Sequence, residues 1–252
     1  MPLSKNTEKY VRSLSQKKFR QLHNRFIGEG DKLVKEILSN ESIKIEILFA
    51  LEEWYAENEQ LVKSRQSKVE IVSSKELRKI SQLKTPNQVL VVAEQLDVQL
   101  NPKDVQSSWS LYLDRIQDPG NMGTLLRIAD WFDIRTVFYA PSSAETYNPK
   151  VIQASMGAFL RVQHIEMEFE DLQQQFPDLP TYATVMNGTS VHDAKNNQKG
   201  IITLGNEGKG IASEIIAKTD HKITIPSYGK SKMESLNVAV AAGIICAVLK
   251  KK

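Results

Sequence analysis

The chain of 252 residues has one cysteine, Cys246, and four histidines, His23, His164, His192 and His221, scattered along its length. A lone thiol closes no internal disulfide and builds no thiolate cluster, and histidines at those spacings give no zinc-ligand pattern. Disulfide scaffolds and metal enzymes are therefore set aside. Cys246, inside the apolar run 243–249, reads as a small buried hydrophobe rather than a nucleophile. No apolar run is long enough to cross a bilayer, and residues 1–10 are polar. The chain is expected to be soluble and cytoplasmic, with no export signal and no membrane partner. A Gly-Lys-Ser/Thr phosphate loop is missing and no glycine run has dinucleotide spacing, which argues against an ordinary nucleotide-binding enzyme.

What the sequence does contain is a normal globular share of hydrophobic (41%) and charged (25%) residues, enough for one large domain or two modest ones. The net charge is only +3, but residues 1–25 hold seven basic side chains (Lys5, Lys9, Arg12, Lys17, Lys18, Arg20, Arg25) against Glu8. A basic face of this kind attracts phosphates through counterion release. A solvated amphipathic helix is the plain alternative.

Two halves are expected. Residues 1–106 alternate helix-like segments (14–25, 30–39, 74–82) with strand-like ones (43–49, 69–72, 89–93), which gives a small α/β domain. The polar stretch 97–108, with Pro102 and no periodicity, reads as a linker. Residues 107–252 alternate strands (110–116, 136–139, 159–165, 182–185, 200–204, 222–225) with helices (122–132, 150–156, 168–176, 211–217, 235–250). That order predicts an α/β domain with a mostly parallel sheet and helices on both faces. Ligands of such sheets lie at the carboxyl ends of the strands, so the loops there should carry the chemistry.

Three of those loops stand out. Asp118-Pro-Gly-Asn121-Met-Gly123-Thr-Leu-Leu-Arg127-Ile-Ala129 opens a helix, with Asn121 as its expected cap and Arg127 near its start, beyond a turn suited to an anion. An ordinary capped helix with an exposed arginine explains the same spacing. Gly205-Asn206-Glu207-Gly208-Lys209-Gly210 follows an apolar strand and permits close approach of a ligand, or is simply a tight turn. Asn206 and Glu207 suit a neutral or cationic ligand better than a polyphosphate. In the third, Ile225-Pro226 ends a strand, and Ser235 is expected to cap a helix of small and aliphatic residues. That helix is buried either within its own chain or against a second copy in a homodimer.

Taken in order, these loops resemble the three motifs of the SpoU family, also called TrmH, of the SPOUT superfamily. The residues that carry the likeness are Asn121, Gly123, Arg127 and Ala129, then 205–210, then Ile225 and Pro226 with 234–241. Ala154-Ser155-Met156-Gly157-Ala158 resembles a further family stretch. Phe26-Ile-Gly-Glu-Gly30 resembles a turn in the small substrate-binding domain of many members. The resemblance implies a C-terminal trefoil knot, which periodicity cannot predict. It implies S-adenosylmethionine as cofactor, a structured RNA as partner (ribosomal rather than transfer RNA, given the extra N-terminal domain), a homodimer, and methyl transfer to a ribose 2′-hydroxyl. It places the cofactor against Gly205, Asn206, Gly208, Ile225, Pro226, Ser235, Leu236 and Asn237, with Val185, Met186, Asn187 and Gly188 walling the adenosine. Catalysis falls to Arg127, with Asn121 and Glu207 positioning it or the substrate and Ser235 and Asn237 fixing the loop. RNA contacts are expected from Lys17, Lys18, Arg20, Arg25 and Arg127. The rival readings are a transfer-RNA ribose methyltransferase, a base methyltransferase of the wider superfamily, and a non-catalytic RNA-binding or ribosome-assembly protein on the same scaffold. The polar loop 227–233 departs from the shorter or more apolar stretch of many members.

Overall fold

The computed structural model describes residues 3–194, 199–228 and 235–250. The chain forms two compact units, one from the chain up to Asp97 together with Glu145–Gly157, the other from Val98–Ala144 and the chain from Ala158 onward.

The first unit opens with α1 (Lys5–Ser13), α2 (Lys17–His23), β1 (Arg25–Glu29), α3 (Asp31–Ser39) and β2 (Ile45–Ala50). It continues with α4 (Glu52–Ser64), β3 (Lys68–Ile71), α5 (Ser74–Ile80) and β4 (Val89–Glu94). Its sheet runs β1-β4-β2-β3, with β4 antiparallel to both neighbours. The buried run Val89-Leu-Val-Val-Ala93 suits that central place. Leu90 and Val92 share a core with Ile27, Ile47 and Phe49 of the other strands, Val11 of α1, and Leu77 and Ile80 of α5. Each such side chain contributes about 1.5–3 kcal/mol on burial. Gly28 lets α3 lie close to the sheet, since a Cβ there would stand 2.5 Å from Ile37 Cδ1.

Of the helix expected over 14–25 only 17–23 is helical, as α2, and a separate helix, α1, precedes it over 5–13. Leu14, Ser15 and Gln16 interrupt them, and Asn24 closes α2 in the left-handed region (φ 52°). Arg25 and the residues after it pair with β4, because Phe26 and Ile27 are core residues. The turn expected at 26–30 is therefore mostly strand.

In the second unit, α6 (Pro102–Ser107), β5 (Trp109–Asp114), α7 (Pro119–Trp131) and β6 (Thr136–Tyr139) come first. The chain then contributes α8 (Pro149–Ser155) to the first unit. It resumes the second with a 3-10 turn (Ala158–Leu160), β7 (Gln163–Glu166), α9 (Phe169–Gln175) and β8 (Thr181–Ser190). Last are β9 (Gly200–Gly205), α10 (Ser213–Lys218), β10 (His221–Thr224) and α11 (Val238–Leu249). The sheet order is β10-β8-β9-β5-β6-β7, and all five pairs are parallel. One face buries Tyr112, Phe138, Ala183 and Ile201 against Val105 of α6, Phe169 and Leu172 of α9, and Ile215 of α10. Leu111, Leu113, Ile202 and Leu204 alternate with these along β5 and β9 and are equally buried, so they point to the opposite face. There α11 lies against α7 and β9.

Of the stretch expected as a linker, 97–101 has no secondary structure and the two units divide at its start, but 102–107 is helical. Asn101 caps α6, accepting from Lys103 N at 3.2 Å, with Pro102 at the first helical position and Val105 fully buried. Residues 159–162, expected as strand, are taken up by the 3-10 turn and the approach to β7.

Candidate active site at the carboxyl edge of the parallel sheet

Because β10, β8, β9 and β5 are neighbours and parallel, the segments that follow them emerge on one edge. From β5 the chain first runs outward through β6 and β7 and then returns to β8 on the other side of β9. Such a reversal of strand order is where open α/β sheets hold ligands.

At the end of β5, Asp114 is buried and bonded to the Arg115 guanidinium (Nε to Oδ1, 2.8 Å; Nη2 to Oδ2, 3.0 Å) and to Ala212 N at 2.7 Å. This pairing holds the Arg115 guanidinium above its ordinary range. Arg115 itself is left-handed (φ 57°), a strained state that a buried anchor sustains. Sequence reading passed over both residues. The signal available was a carboxylate ending a run of strand hydrophobics.

The helix after this turn does not begin at Asn121. Asp118 is its N-cap, accepting from Asn121 N at 2.8 Å, with Pro119 in the first turn. The Asn121 side chain is therefore left for other work. Its Nδ2 donates to Glu207 Oε1 at 3.0 Å, and its Oδ1 accepts from Asn237 Nδ2 at 3.0 Å. Asn237, not Ser235, caps α11, its Oδ1 accepting from Ala239 N (2.9 Å) and Val240 N (3.3 Å). Ser235 and Leu236 precede the helix and are exposed. The hydrogen bonds thus run in one sense, from Asn237 through Asn121 to the carboxylate of Glu207, and join the three loops.

The glycine-rich loop is closed on itself. Asn206 and Gly210 exchange backbone hydrogen bonds (3.1 and 2.9 Å), and Asn206 Oδ1 accepts from Gly208 N and Lys209 N, both at 3.0 Å. Asn206 Nδ2 reaches Arg115 O at 2.9 Å, which fastens this loop to the end of β5. Gly205 has no alternative, since a Cβ would fall 2.3 Å from the backbone of Gly210 and Ile211.

β8 is longer than the four residues expected. It pairs with β10 at Tyr182 and Ala183 and again at Thr189 and Ser190, while on β10 the matching partners Lys222 and Ile223 are consecutive. Residues 184–188 therefore arch out of the sheet. Met186 (62% exposed) and Asn187 lie on the arch, pinned by Thr224 Oγ1 donating to Met186 O at 3.1 Å. Gly188 returns the chain to β10, at a place where a Cβ would stand 2.8 Å from the carbonyl carbons of Lys222 and Ile223. Val185, Ile225 and Pro226 are half-buried. Residues 229–233 of the polar loop and Glu234 of the third motif lie outside the described residues.

Arg127 is exposed on α7, six residues and about 9 Å along the axis from Asn121, with no hydrogen-bond or ion-pair partner among the described residues. It is not a member of the amide chain. In the first unit, Lys17 and Lys18 are exposed. Arg20 is not available to RNA, because its side chain is 2% exposed and is spent on Glu145 (Nη2 to Oε2, 2.5 Å) and Leu14 O (2.9 Å). Arg25 is largely engaged as well, bonded to Glu46 at 2.6 Å and to the carbonyls of His23 and Asn24. Among the described residues no His, Cys, Asp and Glu group could hold a metal ion, and no helix is long and apolar enough to cross a membrane.

The model of the SpoU rRNA Methylase family matches residues 108–247, and that of the MRM3-like substrate binding domain matches 5–91. The 23S rRNA (guanosine(2553)-2′-O)-methyltransferase RlmP of Bacillus subtilis is 28% identical over 242 residues, covering 93% of this chain and 92% of the relative. A structure described as an RNA methyltransferase of the TrmH family, from Porphyromonas gingivalis, is 35% identical, with a TM-score of 0.84 over 99% of this chain and 98% of that one. The AdoMet-bound rRNA methyltransferase from Sinorhizobium meliloti is 25% identical, with a TM-score of 0.85 over 99% and 96%. Loops, sheet order and these likenesses agree: the chain belongs to the SpoU rRNA methylase family.

Proposed function

We propose that this protein transfers a methyl group from S-adenosylmethionine to a ribose 2′-hydroxyl of ribosomal RNA. The observation that carries the reading is the hydrogen-bonded run Asn237–Asn121–Glu207, which ties all three motif loops together at the carboxyl edge of the sheet. The relatives named as rRNA methyltransferases support ribosomal over transfer RNA.

The residues present suit this cofactor. The loops offer mostly uncharged amides, with the Glu207 carboxylate set against the exposed Lys209, a set without the clustered cations that a polyphosphate would call for. Space stands open over Gly208 and Gly210, where an added Cβ would meet nothing closer than 3.7 Å. Exposed Met186 and Leu236 supply apolar surface for a nucleoside. Gly205, Asn206, Gly208, Ile225, Pro226 and 235–237 would hold the cofactor, with 185–188 against its adenosine. When bound, it supplies an electrophilic methyl group.

The protein then has to orient the sugar oxygen and manage its proton. A guanidinium offers only N–H donors and no acceptor, so Arg127 does not act as the base. It fixes the neighbouring phosphate and stabilises the oxygen as negative charge develops, while the proton leaves to phosphate or water. Asn121, Glu207 and Asn237 are positioning residues, and Ser235 leads into the capped helix. The first unit, residues up to Asp97 with Glu145–Gly157, is assigned to RNA binding and the second to methyl transfer.

A trefoil knot fits the path of α11, which leaves edge strand β10 yet lies against α7 and β9. A homodimer through this unit is supported by apolar side chains left on its surface, Trp131 (83% exposed) and Val240 (52%). A cytoplasmic site is compatible with the proposed substrate.

Arg127→Ala should keep its affinity for S-adenosylmethionine in calorimetry while losing about 10²–10³-fold in turnover on unmethylated ribosomal RNA. Arg127→Lys should also be poor, because a point charge does not replace the planar fork. Near-full turnover by Arg127→Ala would remove Arg127 from the chemistry.

A further inference from the structure

The first unit contains a cavity of about 280 Å³ that the proposed methyl transfer does not use, lined in part by Ile27 and Glu29 of β1, Gln82, and Pro149, Lys150 and Gln153 of α8. This lies just below the range of drug-sized sites, enough for one flat ring system rather than a whole cofactor. Ile27, Pro149 and the aliphatic stem of Lys150 make its apolar walls.

Glu29 is the unusual member. It is 5% exposed and has no cationic partner among the described residues. Burial pushes its carboxyl up, while Ser81 Oγ (2.5 Å, to Oε2) and Gln82 N (2.7 Å, to Oε1) hold it down. Both donors suit the ionised form. A carboxylate has about four acceptor sites, so two remain on a group that lines the cavity. A buried charge of this kind is costly unless further donors reach it.

Of the four RNA bases, guanine alone presents two adjacent N–H donors, N1–H and N2–H, beside an acceptor, O6. We propose that this cavity receives a guanine base of the bound RNA, with N1–H and N2–H on Glu29, O6 beside the Gln153 amide or the Lys150 ammonium, and the ring faces against Ile27 and Pro149. Unstacked RNA bases are commonly read in this way, on their Watson–Crick edge and between apolar walls. The inference rests on the reading of the chain as an RNA-modifying enzyme.

Ligand-observed NMR on the full-length protein tests it, with guanosine 5′-monophosphate as probe and the adenosine, cytidine and uridine monophosphates as controls. Wild type should bind the guanosine nucleotide about tenfold or more above each control. Gln153→Trp, which fills the cavity from its rim, should abolish the preference and raise KM for ribosomal RNA about tenfold with kcat within about twofold. Glu29→Gln should do the same. If it fails to fold, Gln153→Trp and Lys150→Met decide the matter. Equal binding of all four nucleotides by wild type, or an unchanged preference in Gln153→Trp, overturns the proposal. Calorimetry with S-adenosylmethionine and methyl transfer on the same preparations separate the two readings. Methylation without base preference sinks the cavity alone, and base preference without methylation sinks the enzyme reading alone.

Discussion

Lys17 and Arg20 sit less than one helical turn apart on α2 and do different jobs. Lys17 meets solvent, whereas Arg20 is buried on Glu145, a residue 125 positions further along the chain. A count of basic side chains over 1–25 sees the same charge on both, because it holds no information about a carboxylate so distant. Removing one partner of a buried pair leaves the other stranded, so Arg20→Met should destabilise the fold by about 3 kcal/mol. A lowered urea midpoint with unchanged affinity for S-adenosylmethionine would show it. A midpoint equal to wild type would mean that Glu145 finds solvent readily. The same limit hid Asp114, whose bond from Ala212 N forms only because β5 ends beside the residues leading into α10.

At the scale of elements, much was legible. β6 spans the four residues that periodicity predicts, and β9 and β10 lie within one residue of expectation, because buried parallel strands are continuous apolar runs. Three failures have definite causes. α4 buries only Trp54 and Val62 and so has almost no stripe to read. α6 is a short capped helix that composition presents as a linker. Two helix starts were misplaced because Asp118 and Asn237 outcompete Asn121 and Ser235 for the capping position, the first helped by Pro119. The motif residues themselves were visible from their order, but the bonds among them were not. Asn237→Ala removes a cap, worth about 1 kcal/mol, and also the partner of Asn121. It should therefore reduce methyl transfer by more than its modest loss of thermal stability suggests. If turnover fell only in proportion to the folded fraction, Asn237 would be a cap and nothing more.

For the molecule as a whole, the basic character of residues 1–25 is smaller in effect than in formal charge, since Arg20 and Arg25 are neutralised internally. Reversing Lys17 and Lys18 to Glu should weaken RNA binding and reduce the slope of log affinity against log salt by about 2. An unchanged slope would return that surface to plain solvation. Val240→Asp should shift a dimer to monomers in sedimentation, and an unaltered distribution would place any self-association elsewhere. The joined loops set a further limit on change. A carboxylate can only accept, so Glu207 fixes which end of the Asn121 amide faces it, and Asn121 in turn fixes Asn237. Polarity is handed across three distant stretches of chain without a metal or a disulfide. Aspartate at 121 has nearly the same shape as asparagine, yet it would set oxygen against oxygen facing Glu207. Replacing one nitrogen by oxygen is enough to turn the link from Asn121 to Glu207 into a repulsion, with no change of volume.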